Sequence, residues 1–174
     1  MRKVYLFPTE CEAAPFRALV PDAEIVISGV GMAMTAATVA RIAAEHEQRD
    51  MLFVLAGIAG AYGDIAVGSV VEVVSECCVE LPERFREHHR ATFCTELLPT
   101  ATSNTVHSTG ASAEGAEVEN MEGAALYAVA ESLGLTATEI RAISNRVGDS
   151  FEKWSIKEAL EALTEALIKI ERGE

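Results

Sequence analysis

Basic residues are scarce in this chain: 14 lysines and arginines face 27 aspartates and glutamates, for a net charge of −13. Phosphate-rich surfaces repel such a chain, which excludes nonspecific binding to nucleic acid or to an anionic membrane but leaves room for a small polar ligand in a local pocket. Long apolar runs are missing near the start. Met1 to Phe7 joins a basic pair to a few apolar residues, too few for the core of a signal peptide and far too few to span a bilayer. The four cysteines, Cys11, Cys77, Cys78 and Cys94, make no CxxC pair, and His46, His88, His89 and His107 stand in no ligand spacing with them. A metal site is therefore not expected, and the thiols fit a reducing cytoplasm. Neither SGVG (28–31) nor AGIAG (56–60) is a GxGxxG loop and no Walker lysine follows, so nucleotide-phosphate binding has no support. Ser144 has no histidine in a recognisable order to activate it, which argues against a serine hydrolase. Internal repeats and linkers are absent too.

What is present is a chain of 174 residues, 49% of them apolar, enough for one full core and a single domain over 1–174. Short apolar, β-branched runs at 3–7, 23–31, 51–63 and 137–145 read as strands, and the valine-rich run 65–81 as one or two more. They are apolar on both faces, which suits the covered sheet of an α/β protein better than an alternating antiparallel one. Helical composition marks 32–46, 120–134 (stopped by Gly134) and 155–173. The last has apolar positions at 156, 159, 160, 163, 166, 167 and 170 and a glutamate-rich face for water. From 82 to 115 the chain reads mostly as loop, with a weak strand at 97–103.

Three strand ends carry chemistry, and ligands of open α/β sheets collect at such ends. PTECEAAP (8–15) brings Glu10 and Glu12, which are either solvated first-turn carboxylates or functional acids. The glycines of 57–60 serve a tight turn or allow close approach to the backbone. Ser144 and Asn145 end the strand near 140. VENMEGAAL (118–126) places Glu119, Asn120 and Glu122 ahead of small apolar residues, so Glu122 either caps the helix or awaits a ligand.

Five segments, PTECEAAP, SGVGMAMTAATVA, LAGIAGAYGDIAVGSVVEV, VENMEGAALYAVA and EIRAISNRVGD, together resemble the nucleoside phosphorylase and nucleosidase superfamily. Within it they are most similar to the futalosine hydrolases, relatives of the methylthioadenosine/S-adenosylhomocysteine nucleosidases. Their order and spacing hold over most of the chain; only 82–115, where relatives place part of the substrate's outer wall, matches poorly and looks abbreviated. The resemblance implies a single-domain three-layer α/β/α sandwich with a central mixed, largely parallel sheet. It also implies N-glycosidic hydrolysis of futalosine to hypoxanthine in menaquinone biosynthesis, with no cofactor, water as nucleophile, and a homodimer whose neighbour closes the site. By the same resemblance Glu12 activates the water, and Met121 and Glu122 pack under the ribose and accept its hydroxyls. Ala59 and Gly60 form the turn beside sugar and water, and Asn145, next to Ser144, reads the purine's N7 edge where adenine-specific relatives have aspartate.

Two features choose within the superfamily. An asparagine amide both donates and accepts, so it serves a 6-oxopurine as an aspartate does not. SGVGMAM has no cation for phosphate, and Glu10 and Glu12 repel it, which favours water. An adenine-releasing nucleosidase and a nucleoside-binding relative without activity stay open. His107 lines the pocket or sits in a solvated loop, while Phe85, Phe93 and Trp154 are candidates for stacking on the base or the tail, Phe93 equally for the core.

Overall fold

The computed structural model of the chain describes residues 1–46 and 50–174. Four largely buried runs supply the strands β1 (Arg2–Phe7), β3 (Met51–Ala61), β4 (Val70–Cys78) and β8 (Thr136–Arg146), and the half-buried run β2 (Glu24–Ile27) forms an edge beside β1. Between β4 and β8 lie three short strands, β5 (His88–Arg90), β6 (Thr100–Thr105) and β7 (Val118–Asn120). Four helices complete the chain: α1 (Glu10–Leu19), α2 (Met32–Glu45), α3 (Gly123–Leu133) and α4 (Ile156–Arg172).

Residue alternation along the strands feeds two cores. Val4, Leu6, Met51, Phe53 and Leu55 face one side and pack with Val39 and Ile42 of α2 and Leu126 and Ala130 of α3. Tyr5, Phe7, Leu52, Val54 and Ala56 face the other and pack with Phe16 of α1 and Leu160, Leu163 and Leu167 of α4. The sheet is therefore covered on both faces, and the expected α/β/α layering is what the chain adopts. Most pairings are parallel (β1 with β2 and β3, β3 with β8, β6 with β4 and β7), while β3–β7, β4–β5 and β4–β8 are antiparallel.

The layers are not a simple open sheet. β3 pairs β8, β8 pairs β4, β4 pairs β6, β6 pairs β7, and β7 returns to β3. Five strands thus close into a ring, with β1, β2 and β5 outside it. One consequence positions the site. β3 has β1 beside it only as far as Leu55, and β7 beside it only from Gly60. Between those points one edge of β3 is unpaired, at the carboxyl end of the parallel strands.

Several expectations shift. Of the one or two strands expected in 65–81 there is one, Val70 to Cys78, paired with β8 over Val70–Val73 and with β6 over Glu72–Cys78, its register with β6 shifting between Val73 and Ser75. Residue 120 ends a strand rather than starting a helix: Asn120 pairs Thr105, and α3 begins at Gly123. Edge strand β5 lies where a charged, solvated loop was expected, and the strand anticipated at 97–103 is β6, two to three residues further on.

Candidate active site

A cavity of about 340 Å³ opens at the unpaired stretch of β3. Glu12, Ala59, Gly60, Met121, Glu122, Ser144 and Asn145 all line it, so residues from four separated parts of the sequence meet at one place. Phe151 and Trp154 line it as well, their rings 5.2 Å apart. His107 does not: its side chain is 69% exposed and paired with Glu80. Phe85 lies outside under the Arg84 guanidinium, and Phe93 packs against the core beside α4. Of the segment 82–115, Val106 and Thr109 reach the cavity.

Glu12 sits at the third position of α1, whose N-cap is Thr9. The Thr9 hydroxyl accepts from the Glu12 N–H (3.3 Å) and donates to Glu12 Oε2 (2.6 Å), a local exchange resembling a capping box. The other oxygen, Oε1, accepts from the Ile58 N–H at 3.1 Å, a donor free because β3 has no neighbour there. Glu12 is 8% exposed and aims at the cavity. Its companion Glu10 turns outward and pairs with Arg17. Only one of the two acids therefore belongs to the site.

Glu122 stands at the N-cap of α3, yet its side chain makes no capping bond. Asn120 Oδ1 does that work, accepting from the N–H groups of Glu122 and Gly123 at 2.8 Å each, and Thr105 Oγ1 accepts from Ala124 N–H. Relieved of capping, the Glu122 carboxylate accepts from the Gly31 N–H (2.9 Å) at the start of α2 and from Arg141 Nη2 (3.1 Å). Gly31 has φ of 90°, a conformation suited to glycine.

Arg141 is the residue that the reading of the sequence missed. It is buried and lines the cavity, donating to Glu139 (2.7 Å), Glu122 (3.1 Å), Asn120 Oδ1 (2.9 Å) and the Ile58 carbonyl (3.3 Å). Burial works against its charge, but the Glu139 and Glu122 carboxylates outweigh that and hold its pKa above the ordinary value. Behind it, Glu76 and Glu139 crowd each other. Burial raises both pKa values; the neighbouring Glu139 adds to the rise at Glu76, and Arg141 limits the rise at Glu139. The available signal was two charged residues on the same face of an apolar strand, Glu139 and Arg141 in TEIRAIS, matched by Glu72 and Glu76 in VVEVVSE.

The glycines of 57–60 are not a turn. They lie inside β3, where their missing side chains make room for others. A methyl group at Gly57 would stand 2.6 Å from Arg141 Nη1 and 2.9 Å from Glu12 Oε1, and one at Gly60 3.1 Å from Asn145 Nδ2. Asn145 is held by two bonds: Ser144 Oγ donates to its Oδ1 (2.8 Å), and its Nδ2 donates to the Arg146 carbonyl (2.9 Å). One amide N–H and one lone pair remain for a ligand. Among the described residues no group of His, Cys, Asp or Glu could hold a metal ion, and no helix is long and apolar enough to cross a membrane.

The chain belongs to a known family. The model of the phosphorylase superfamily matches residues 72–172, more than half of the chain, and the chain is a member of that superfamily. Among solved structures it is similar to a futalosine hydrolase mutant of Helicobacter pylori (TM-score 0.83, 14% identity, 100% of both chains covered). It is also similar to the Streptococcus pneumoniae MTA/SAH nucleosidase in complex with 8-aminoadenine (0.80, 22%, 100% of both). A third likeness is to the 5′-methylthioadenosine/S-adenosylhomocysteine nucleosidase of Campylobacter jejuni (0.82, 13%, 99% of this chain and 98% of that one). At these identities the likeness establishes the fold. No curated protein matches the sequence.

Proposed function

We propose that the protein is a purine nucleosidase that hydrolyses the N-glycosidic bond of futalosine, releasing hypoxanthine as a step of menaquinone biosynthesis. The observation that carries this reading is the meeting of Glu12, Glu122 and Asn145 around one cavity. Glu12, oriented by Thr9 and the Ile58 N–H, takes a proton from water as the water oxygen attacks C1′ of the ribose. The C1′–N9 bond breaks, and its electron pair leaves with the base, which then takes up a proton. Positive charge grows on the sugar, where Glu122 accepts from the ribose hydroxyls while Arg141 holds that carboxylate in place. Met121 and Ala59 pack against the sugar, and the remaining N–H of Asn145 supports electron density at N7 or O6.

Water is favoured over phosphate by the cavity's charge. Arg141 is the only cation among its described lining residues, and it is already engaged by Glu139 and Glu122. A phosphate dianion would meet Glu12 and Glu122 without a free cation. The likeness to MTA/SAH nucleosidases supports a second reading, adenine release, and Asn145 weighs against it, since its amide suits a 6-oxo group. We further propose a cytoplasmic homodimer. Val30, Met34 and Phe151 expose apolar side chains, and Val30 and Phe151 do so at the cavity mouth. Cys11, Cys77, Cys78 and Cys94 form no disulfide.

Purified protein incubated with futalosine, methylthioadenosine and S-adenosylhomocysteine should release hypoxanthine from futalosine in preference to adenine from the other two. Asn145→Asp should move that preference towards 6-aminopurines. Adenine as the main product of the wild type would transfer the protein to the second reading, and no base released between pH 5 and 9 would refute catalysis.

A further inference from the structure

Two buried acids behind the cavity, Glu139 and Glu76, take no part in the reaction above and do not line its walls. Glu139 stands two residues before Arg141 on β8, so both side chains leave the same face of the strand. One of its oxygens, Oε1, accepts from Arg141 Nε at 2.7 Å. The other, Oε2, is buried and receives no N–H or hydroxyl from the described residues. Glu76 comes in beside it from β4: a methyl group placed on Gly123, the first residue of α3, would overlap Glu139 Oε2 and Glu76 Oε1 alike. The two carboxyl groups thus press on one bare glycine. Glu76 is itself fixed, by the Thr105 hydroxyl on Oε2 (2.7 Å) and by the Asn120 amide on Oε1.

We propose that Glu139 is a positioning residue for the hydrolysis: it fixes Arg141, and through Arg141 the Glu122 carboxylate beneath the ribose, while Glu76 supplies the O–H that Glu139 Oε2 lacks. The assignment rests on the nucleosidase reading and holds for either base. Arg141 gives its Nε to Glu139 and its Nη2 to Asn120 Oδ1 and Glu122 Oε2. A planar guanidinium gripped at Nε has little freedom left at Nη2, so the place of the Glu122 carboxylate is set from behind. Two ionised carboxylates against one glycine would repel each other, and a buried oxygen without a donor is costly; a proton on Glu76 removes both faults. Burial, reinforced by Glu139, raises the pKa of Glu76 and keeps that proton there, while at Glu139 burial pushes the same way and Arg141 opposes it. Without the charge of Glu139, Glu122 is the one carboxylate left in an ion pair with Arg141 among the described residues, and the guanidinium draws it off the sugar.

The test compares kcat/KM for futalosine and for 2′-deoxyfutalosine in the wild type, Glu139→Gln and Glu139→Asp, with thermal melts to follow folding. If adenine is the base released, methylthioadenosine and its 2′-deoxy form take their place. Glu139→Gln should lower the ratio of ribose to deoxyribose substrate by about 10-fold, the low end of the worth of a hydrogen bond to a charged group, because a misplaced Glu122 no longer rewards the hydroxyl. Glu139→Asp keeps the charge one methylene further back and should restore part of the ratio. If Glu139→Gln does not fold, Glu139→Asp carries the same comparison, and its ratio should lie below that of the wild type. A merely structural role would lower the folded fraction and slow both substrates alike. A folded variant with the wild-type ratio, Glu139→Gln where it folds and Glu139→Asp otherwise, therefore overturns the assignment and leaves the nucleosidase reading standing. Wild-type protein that releases no base overturns both.

Discussion

Glu12 and Glu122 were each open to a plain structural reading, and the two cases resolve differently. Glu12 does take part in starting its helix, through Thr9, yet the same bond leaves its carboxylate pinned between a hydroxyl and a strand N–H at the cavity wall. Glu122 occupies the cap position without capping, because Asn120 and Thr105 take the orphan amides of α3. The distinction decides what a substitution does. Glu12→Gln keeps an acceptor for the Ile58 N–H and reverses the Thr9 contact, its amide now donating to the hydroxyl, but it removes the base, so hypoxanthine release from futalosine should fall by about 10²- to 10⁴-fold with little change in melting temperature. A variant of normal rate would remove Glu12 from the mechanism. Both acids could be picked from the sequence as candidates; Arg141 was marked there only by its place in an apolar strand, and its role came from partners contributed by Ile58, Asn120, Glu122 and Glu139.

At the scale of elements, legibility followed the strength of the periodic pattern. α4 was readable nearly residue by residue: Ala159, Leu160, Leu163, Ala166, Leu167 and Ile170 are all buried as their spacing required. Leu167 sits fully inside the core shared with α1 and β3. Leu167→Ala should therefore cost about 2–5 kcal/mol in urea unfolding, the range for a buried leucine that leaves a cavity; a loss near zero would mean that α4 is not part of the cooperative core. The three short strands carry no such pattern. β7 is only Val118–Asn120 and polar at two of its three positions, and it is a strand because β3 and β6 offer it ladders on both sides. Tertiary pairing, not local propensity, makes it.

Ring closure belongs to the whole molecule, and so does the burial of charge that accompanies it. Glu76 comes from β4 and Glu139 and Arg141 from β8, neighbouring strands of the ring, and Asn120, Ser103 and Thr105 add polar partners from β7 and β6. Burial, reinforced by the nearby Glu139, keeps the Glu76 carboxyl protonated well above the usual carboxylate range. A group whose folded pKa is raised contributes its full stability below its unfolded pKa and loses it as pH rises through the folded one. Stability should thus decline from about pH 4.5 upward through the raised Glu76 value, with a slope of at most about 1.4 kcal/mol per pH unit for one proton. Glu76→Gln, neutral at every pH and able to donate to Glu139, should flatten that decline in urea midpoints measured from pH 5 to 9. An identical slope in both proteins would show that Glu76 ionises as freely folded as unfolded.

Read as a string, the chain already decided its class: buried runs apolar on both faces call for a covered sheet, helical spacing calls for flanking helices, and acid with little base excludes phosphate-rich partners. Those are properties of neighbours in sequence, each expressed within a turn or a strand. Which acids are functional was decided only by the fold. It left an open edge on β3, turned Glu10 outward and Glu12 inward, and freed Glu122 from capping. The physical reason is that a side chain's charge acquires its role from groups distant in sequence, and only the packing of strands and helices together brings those groups within hydrogen-bonding distance.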